Sequence, residues 1–527
     1  MSRDFHLPGR SPVIASEGMA ATSHPLATLA ALDVLRSGGN AVDAAVTAVA
    51  VLCVVEPHMT GIGGDCFVLI AEDDKPVWGY NGCGRSGANA STEALLAKGM
   101  RAIEPTSPHA VTVPGAIEAW DAILKQQGTW SLTRALAPAI KYAEHGFPVA
   151  PRIASDWKGL VGKLGNSAGA TRHYLFDGRA PAEGDVIKLP VLAATLKAIA
   201  NDGARAFYDG PIAADMAATL AAAGSVLTAE DFAKHRGEVV TPISTDYRGI
   251  DLVEIPPNTQ GLTALVTLNI LERFDMAALE PLGPDRFHLM LEAARMGFAV
   301  RDTHIAEPSR MRVPVSTLNS KAFAKSLAAK LDRNKRVPLP KAPGPGSDTV
   351  YLTVVDRDRR AVSLINSLYS AFGSAICTEK TGVMFNNRGS GFVLNPDHPN
   401  TLGPSQRPMH TIIPALAMRD GRCDTTFGVM GAHYQPMGHV QMVLNLFDYG
   451  MDIQSAIDAP RAFFDGDSTV VERGMPAATI EGLKARGHHI VTAPTPWGGA
   501  QAIRIDWKRG VLIGGSEPRK DGCALGY

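Results

Sequence analysis

The chain has 527 residues, which is long enough for two to four domains or for one large two-layer core. Its 51 Lys and Arg residues balance 52 Asp and Glu residues, and a net charge of −1 argues against a nucleic-acid or anionic-membrane partner. The six cysteines form no CxxC pair and are scattered along the chain, which predicts reduced and mostly buried thiols.

The N-terminal residues 1–10 lack the apolar core of a signal peptide. No segment reaches the ~18 apolar residues that a membrane span needs. The apolar run 44–55 is short, and Glu56-Pro57 ends it, so a buried core helix explains it better. We therefore expect a cytoplasmic protein with no membrane partner.

Helical patterns dominate the first two thirds of the chain. Helices are predicted where apolar residues recur every three to four positions, and 38–40 (GGN) supplies a turn between two of them. Two short apolar runs, 66–71 and 251–255, predict strands. The predicted helices are 26–37, 41–55, 132–145, 189–201, 212–223, 262–274 and 285–302.

Strand patterns dominate after residue 349. The predicted strands are 350–356, 361–367, 382–387, 412–419, 502–506 and 511–514, with helices at 438–446 and 453–459. Helices mostly before this point and strands mostly after it predict strands sandwiched between helices, rather than alternating βαβ units.

Thr349 stands at the junction of the two regions. A Pro/Gly-rich tract, residues 337–347, runs into a strand whose first residue is Thr349. If the Asp348–Thr349 bond is cut, this threonine carries both a hydroxyl and a free α-amino group. The pair is a self-contained nucleophile and base, because an α-amino group titrates near ~7.7–8. The alternative is an ordinary threonine at the start of a strand.

Several motifs together resemble one family. Residues 349–356, followed by 361–363 (AVS) and 372–373 (FG), resemble the start of the small subunit of the gamma-glutamyltransferases. Those enzymes are N-terminal-nucleophile (Ntn) hydrolases, which cleave themselves just before a threonine. Further matching segments run nearly from end to end: 18–25 (GMAATSHP), 38–45 (GGNAVDAA), 56–64 (EPHMTGIGG), 113–115 (VPG) and 448–450 (DYG).

The resemblance implies an α+β fold, namely the four-layer αββα sandwich of Ntn hydrolases formed by both autoproteolytic fragments. The large fragment is 1–348, and the small fragment, 349–527, begins at the nucleophile. Both fragments would contribute to one folded unit, so they are expected to remain associated as a heterodimer that could dimerise further.

The resemblance also assigns catalytic roles. Thr349 is the nucleophile, which first attacks the carbonyl of Asp348 and later attacks the substrate to form an acyl-enzyme. Gly431 and Ala432 fall where the family has a glycine pair whose backbone N–H groups form an oxyanion hole, with a plain tight turn as the alternative. Ser367 falls where the family has a threonine that hydrogen-bonds the nucleophile, although an ordinary strand serine is equally consistent.

Arg85, within 82–86 (GCGRS), matches the family's arginine that binds the substrate's α-carboxylate. Arginine suits this task because its planar fork binds a carboxylate through two hydrogen bonds. A surface salt bridge is the alternative for a lone arginine. The segment 393–406 is also short for a lid.

The rest of the predicted pocket departs from the family. Tyr369 replaces an asparagine that helps to hold the substrate's α-amino group, and Arg388 replaces a glutamine. Residues 390–391 (SG) replace an acidic pair, while His410 and Thr411 replace paired serines. The groups that would recognise a cationic amine are lost, and burying an ammonium without a carboxylate is costly. We therefore expect a substrate with a carboxylate near an amide and no amino group; His410 could instead be a satisfied core histidine.

The departure resembles a sub-branch of the family, the oxamate amidohydrolases of purine catabolism. Segments 7–12 (LPGRSP) and 256–261 (PPNTQG) look like that branch. Oxamate is a carboxylate joined directly to an amide, and so small a substrate would fit a pocket narrowed by Tyr369 and His410. The expected reaction is hydrolysis of such an amide to oxalate and ammonia. Two alternatives are a gamma-glutamyl hydrolase or transferase acting on glutathione, and an inactive, uncleaved homologue that acts as a binding protein.

Residues 61–67 (GIGGDCF) superficially suggest a dinucleotide-binding loop, but the GxGxxG spacing fails at its last position. A glycine-rich turn packed near the active site is the better interpretation. No His/Cys/Asp cluster has the spacing of a metal site, so no cofactor is expected.

Overall fold

Two seven-stranded antiparallel sheets carry the fold of the computed structural model, which describes residues 9–341, 343–344, 346 and 348–527. In spatial order, the first sheet consists of Val13–Ala15, Val511–Ser516, Gly499–Asp506, Arg422–Met430, Ala415–Arg419, Ile250–Glu254 and Ile243–Tyr247. The second consists of Cys523–Gly526, Met19–Thr22, Val350–Val355, Ala361–Ser367, Asp65–Ala71, Trp78–Gly82 and Glu238–Val240. Smaller sheets pair Ala462–Asp465, Ser468–Val471 and His489–Thr492, and Phe147–Pro148 with Val186–Ile187.

The two large sheets pack face to face. Thr353 of the second sheet and Thr426 of the first place their Oγ1 atoms 2.9 Å apart across the interface. Gly428 permits this approach, because a Cβ atom there would lie 2.3 Å from the ring of Tyr351. Every residue of the strands Val350–Val355 and Ala361–Ser367 is buried, and so is every residue of Arg422–Met430 except Arg422.

Helices cover the outer faces. Pro25–Arg36 and Ala41–Val55 pack on the second sheet, while Gly261–Leu271 and Gln435–Val443 pack on the first. Every residue of Ala41–Val55 is buried, and Asn40 begins this helix through a capping box with Asp43. The remaining α-helices are Thr92–Ala97, Ala116–Gln127, Leu132–His145, Pro151–Lys158, Val161–Leu164, Ala168–Tyr174, Pro190–Asp202, Arg205–Tyr208, Pro211–Ala222, Ala229–Lys234, Pro284–His304, Val315–Leu318, Lys321–Ala328, Ile453–Asp458 and Ala477–Ala485.

The layer order helix, sheet, sheet, helix is the α+β arrangement that the sequence predicts. One expectation about it was wrong: strands are not concentrated after residue 349, because half of the strands in the two large sheets come from residues before it. The strand Val350–Val355 pairs with Met19–Thr22 on one side and with Ala361–Ser367 on the other. A cut before Thr349 would therefore leave both pieces hydrogen-bonded within the same sheets.

Most of the predicted elements are present with shifts of a few residues at their ends. The predicted strand 382–387 was wrong, because its backbone groups bond to several different segments: Phe385 N–H donates to Ile376 O and Asn386 N–H to Gly63 O. The central strand Arg422–Met430 was not predicted, since its first half is polar and shows no clear alternation.

The six cysteines are all free thiols, and five of them are buried, as the sequence predicts. Among the described residues, no helix combines the length and apolar character needed to cross a bilayer. The N-terminal part of the motif 7–12 and parts of the tract 337–347 lie outside the described residues.

Candidate active site

Thr349 lies immediately before the central strand Val350–Val355, and it is only 1% exposed. Its backbone N–H donates to Met59 O at 3.3 Å. Its φ angle is +100°, a region that β-branched residues rarely adopt. Such a conformation costs about 1–3 kcal/mol. Because this φ angle is defined by the carbonyl carbon of Asp348, cutting the Asp348–Thr349 bond removes the strained torsion altogether.

Ser367 ends the neighbouring strand and faces Thr349. The two hydroxyl oxygens, Ser367 Oγ and Thr349 Oγ1, lie 3.0 Å apart. Ser367 Oγ also accepts the backbone N–H of Tyr369 at 2.8 Å, which leaves its own proton available to Thr349. The structure therefore places the predicted partner of the nucleophile within hydrogen-bond distance.

Gly431 and Ala432 form a tight turn beside the segment that precedes the junction. Both have positive φ angles, +128° and +49°. Gly346 N–H donates to Gly431 O at 3.2 Å, and Gly346 O accepts from Gly498 N–H at 3.3 Å. In the intact chain, the segment before Thr349 thus lies against the turn whose N–H groups are the predicted oxyanion hole.

The glycine-rich segment 61–64 packs against the end of the strand that carries Ser367. A Cβ atom at Gly64 would lie 2.3 Å from Ser367 O, and one at Gly63 would lie 2.0 Å from Met384 O. Only glycine allows these close backbone approaches. The segment is a packing turn beside the junction, in agreement with its interpretation from the sequence.

Asp348 lies on the amino side of the junction and is half-buried. Burial raises the pKa of its carboxyl group to about 6, although the charges of Lys520 and Lys163 and the Ala371 N–H oppose this shift. The folded-state pKa of Asp348 is raised above its unfolded value of 3.8, so the protonated carboxyl group stabilises the folded, uncleaved chain. This stabilisation is fully present only below pH 3.8. That stabilisation is lost as the pH rises through about 6.

We therefore expect the precursor to cleave faster above pH 6 than at pH 5, since ionised Asp348 destabilises the intact junction. Asp348→Asn, which cannot ionise, should flatten this part of the profile. Freshly translated precursor, sampled over time on denaturing gels from pH 5 to pH 8, measures the effect. The same pH dependence in wild type and Asp348→Asn would show that Asp348 does not control it.

Arg388 lies beneath the ring of Tyr369 and is fully buried. Its guanidinium carbon is 4.2 Å from the ring centroid, and its Nη1 donates to Thr411 Oγ1 at 2.7 Å. Its Nε and Nη2 atoms have no hydrogen-bond partner in the described part of the chain. Burial lowers the pKa of Arg388, and the charges of Asp65 and Tyr369 oppose this shift.

His410 lies in the core, with both ring nitrogens bonded. Nε2 donates to Asp65 Oδ2 at 3.0 Å, and Nδ1 accepts Ile412 N–H at 3.3 Å. Burial, and then the charge of Arg388, lower the pKa of His410 to about 3, so the ring is neutral. The structure thus favours the core-histidine alternative for His410 over a pocket wall.

Asp65, Cys83 and His410 place three ligand-type atoms within 4.8 Å of one another. Sequence spacing gave no sign of this group, because the three residues are far apart along the chain. Asp65 Oδ1 accepts Gly84 N–H at 2.9 Å, and Arg388 Nε lies 3.9 Å from Asp65 Oδ2. A permanent guanidinium charge next to the shared carboxylate disfavours a cation, so we interpret the group as a hydrogen-bonded core cluster.

Among the described residues, the Arg85 side chain makes no hydrogen bond or ion pair with Thr349, Ser367 or Arg388. Its Nη1 donates to Glu307 and to Ser405 O, and its side chain is 35% exposed. Its assignment as the carboxylate-binding residue stays a prediction. The other predicted residues are connected: Tyr369 follows Ser367 by two positions, and Arg388 joins Tyr369 to Thr411.

Three further polar residues belong to the site and were missed in the sequence. Gln260 Nε2 donates to Ala432 O at 2.9 Å and to Thr411 O at 2.6 Å. Arg301 and His433 lie next to it and reach Tyr369. His433 directly follows Ala432, so its position was a usable signal, whereas Arg301 lies on the distant helix Pro284–His304 and gave none.

Known proteins resemble this chain over nearly its whole length. A family model described as gamma-glutamyltranspeptidase matches residues 27–527. The glutathione hydrolase-like YwrD proenzyme of Bacillus subtilis (strain 168) is 39% identical, over 98% of this chain and 99% of that protein. The oxamate amidohydrolase proenzyme of Klebsiella pneumoniae subsp. pneumoniae is 34% identical, over 98% of this chain and 99% of that protein. The cephalosporin acylase from Bacillus halodurans has a similar structure, with a TM-score of 0.93 at 39% identity, covering 100% of this chain and 99% of that chain.

Proposed function

The chain belongs to the gamma-glutamyltranspeptidase family of Ntn hydrolases, and on that premise we propose that it is a self-cleaving amidohydrolase with Thr349 as its nucleophile. We further propose that its substrate is a small amide that carries a carboxylate and no amino group, such as oxamate. The relatives named as proenzymes support cleavage into two fragments.

Cleavage begins when Thr349 Oγ1 attacks the carbonyl carbon of Asp348. The peptide C–N bond breaks, an ester forms at Oγ1, and the nitrogen of Thr349 takes up the proton that leaves Oγ1 and becomes a free amine. Water then hydrolyses the ester and releases the carboxyl end of 1–348. Loss of the strained φ angle at Thr349 favours this step, and Ser367 Oγ, at 3.0 Å, orients the attacking hydroxyl.

Turnover uses the same hydroxyl. The α-amine of Thr349 accepts the hydroxyl proton as Oγ1 attacks the amide carbon of the substrate, and the Gly431–Ala432 turn supplies N–H groups to the oxyanion. The C–N bond breaks, and the proton passes to the departing ammonia. Water attacks the acyl ester in the same way, so oxamate and water give oxalate and ammonia.

The substrate class rests on one observation, the unsatisfied edge of Arg388. Nε and Nη2 lie on the same edge of a guanidinium group, and this edge binds a carboxylate through two parallel hydrogen bonds. Both atoms lack a hydrogen-bond partner among the described residues, although Nε lies 3.9 Å from Asp65 Oδ2, and a buried donor without a hydrogen bond is costly. A substrate carboxylate would satisfy both donors at once.

An ammonium group would find no comparable partner beside Arg388. The nearby carboxylate, Asp65, is already shared by Gly84 N–H, His410 Nε2 and the guanidinium group of Arg388. Two guanidinium groups lie beside Tyr369 and His433: that of Arg388 is 4.2 Å from the ring centroid of Tyr369, and Arg301 Nη1 is 3.0 Å from His433 Nδ1. The charges of these two guanidinium groups disfavour an α-ammonium group in the substrate.

A second candidate is hydrolysis of glutathione or another gamma-glutamyl compound. Its support is the name of a relative that is 39% identical, the glutathione hydrolase-like YwrD proenzyme. The two candidate substrates differ in whether the site must bind an ammonium group, since a gamma-glutamyl donor carries an α-ammonium and oxamate does not.

Purified, cleaved protein should release ammonia from oxamate with a kcat/KM at least about tenfold above that for glutamate release from glutathione, because the ammonium is left without a partner. Enzyme-coupled ammonia and glutamate assays measure the two rates. Thr349→Ala protein, prepared in parallel, controls for contaminating amidases. Efficient glutathione hydrolysis without oxamate turnover would contradict the proposed substrate class.

A further inference from the structure

Tyr369, His433 and Arg301 form a hydrogen-bonded row beside the junction, which we call the polar row. Tyr369 Oη lies 3.2 Å from His433 Nε2. On the other side of the imidazole, Arg301 Nη1 lies 3.0 Å from His433 Nδ1. The same Nη1 also donates to Gln260 Oε1 at 2.8 Å, so both of its protons are used.

Arg301 fixes the direction of every hydrogen bond in the polar row. A guanidinium group only donates, so His433 Nδ1 must be the acceptor and carries no proton. Burial, and then the charges of Arg301 and Arg388, hold the pKa of His433 well below its usual value, so the ring is neutral and its one proton is on Nε2. That proton is donated to Tyr369 Oη, which leaves the phenolic proton of Tyr369 free to point elsewhere.

Tyr369 is held between Ser367, the hydrogen-bond partner of Thr349, and the guanidinium group of Arg388. Its backbone N–H donates to Ser367 Oγ, which in turn contacts Thr349 Oγ1. Its ring covers the guanidinium group of Arg388 at 4.2 Å. Burial raises the pKa of Tyr369, with the charges of Arg388 and Arg301 opposing the shift, so the hydroxyl keeps its proton at neutral pH.

We infer that Tyr369 donates its phenolic proton to the substrate carboxylate, beside the two hydrogen bonds offered by Arg388. The polar row thereby favours substrates that present a hydrogen-bond acceptor at this position over substrates that present a donor. The inference rests on the proposed function, because it adds a specificity-determining hydrogen bond at the same site. A carboxylate oxygen accepts this proton. An ammonium group, which only donates, meets a donor instead and is rejected.

Tyr369→Phe tests the inference, since it removes only the hydroxyl. Loss of one hydrogen bond to a charged group should raise KM for oxamate by about 10- to 100-fold, with a smaller change in kcat. The gap in kcat/KM between oxamate and glutathione should narrow in the same variant. An unchanged KM in folded, cleaved Tyr369→Phe would overturn the inference.

The protonation of His433 can be tested in the wild-type protein. This test keeps the inference falsifiable if Tyr369→Phe fails to fold. In protein with ¹⁵N-labelled histidine, the His433 signals, assigned by their loss in His433→Asn, should show Nε2 protonated and Nδ1 unprotonated from pH 5 to pH 8. A proton on Nδ1 would overturn the inference.

Binding of oxalate separates this inference from the proposed function. If oxamate is not hydrolysed, the proposed function fails, but calorimetric titration of oxalate still compares wild type with Tyr369→Phe. Binding that is about 10- to 100-fold weaker in the variant supports the hydrogen bond to a carboxylate. Equal affinities, or no oxalate binding to cleaved wild type, would overturn it.

Discussion

A Thr349→Ala chain is expected to remain a single 55.7 kDa polypeptide and to lose amidase activity by about 10⁴-fold or more. The wild type should give two bands, from 1–348 and 349–527. Both effects have one cause: the methyl group of alanine cannot attack the Asp348 carbonyl, so no N-terminal nucleophile or amine forms. A denaturing gel and an ammonia-release assay on the same preparation measure the two effects.

Thr349→Ser is the matched control, because it keeps the hydroxyl and loses only the methyl group. We expect it to cleave, but more slowly, since serine is less strained than a β-branched residue at a φ angle of +100°. Cleavage that persists in Thr349→Ala would show that another group opens the chain. A wild-type protein that stays intact would instead favour the inactive binding-protein alternative.

Arg388→Gln is expected to raise KM for oxamate by about 100-fold, because glutamine loses the charge and one of the two parallel hydrogen bonds to the carboxylate. Arg85→Gln should change KM by less than about threefold, since the Arg85 guanidinium group is paired with Glu307 and is 35% exposed. Steady-state kinetics of the two cleaved variants decide which arginine holds the substrate.

Folding must be compared in the same experiment, because Arg388→Gln leaves the buried carboxylate of Asp65 without its neighbouring positive charge. A thermal melt and the extent of cleavage on a gel report whether the variant is native. If Arg85→Gln raises KM strongly while native Arg388→Gln does not, the carboxylate is held by Arg85, as the resemblance in the sequence implies.

The sequence by itself predicted the class of fold that the structure shows, and it singled out Thr349, on which the proposed chemistry rests. The helices Ala41–Val55 and Leu132–His145 and the strand Ala361–Ser367 match their predictions because each has an unbroken local pattern ended by Gly, Glu-Pro or a polar turn. Thr349 was identifiable because a Pro/Gly tract precedes it and a family pattern follows it. Its contact with Ser367 was foreseen through the resemblance, and the structure places the two hydroxyl oxygens 3.0 Å apart.

Only the tertiary structure decided which side chains share the site. Arg301 is separated from His433 by 132 positions in the chain, yet their nitrogens lie 3.0 Å apart. The role of Arg85 that the resemblance implies stays a prediction, whereas its ion pair with Glu307 and the unsatisfied edge of Arg388 are visible only in the packed chain. The physical reason is that propensity and spacing act over a few residues, whereas burial, pairing and proton position are set by groups that meet only when the two sheets close on each other.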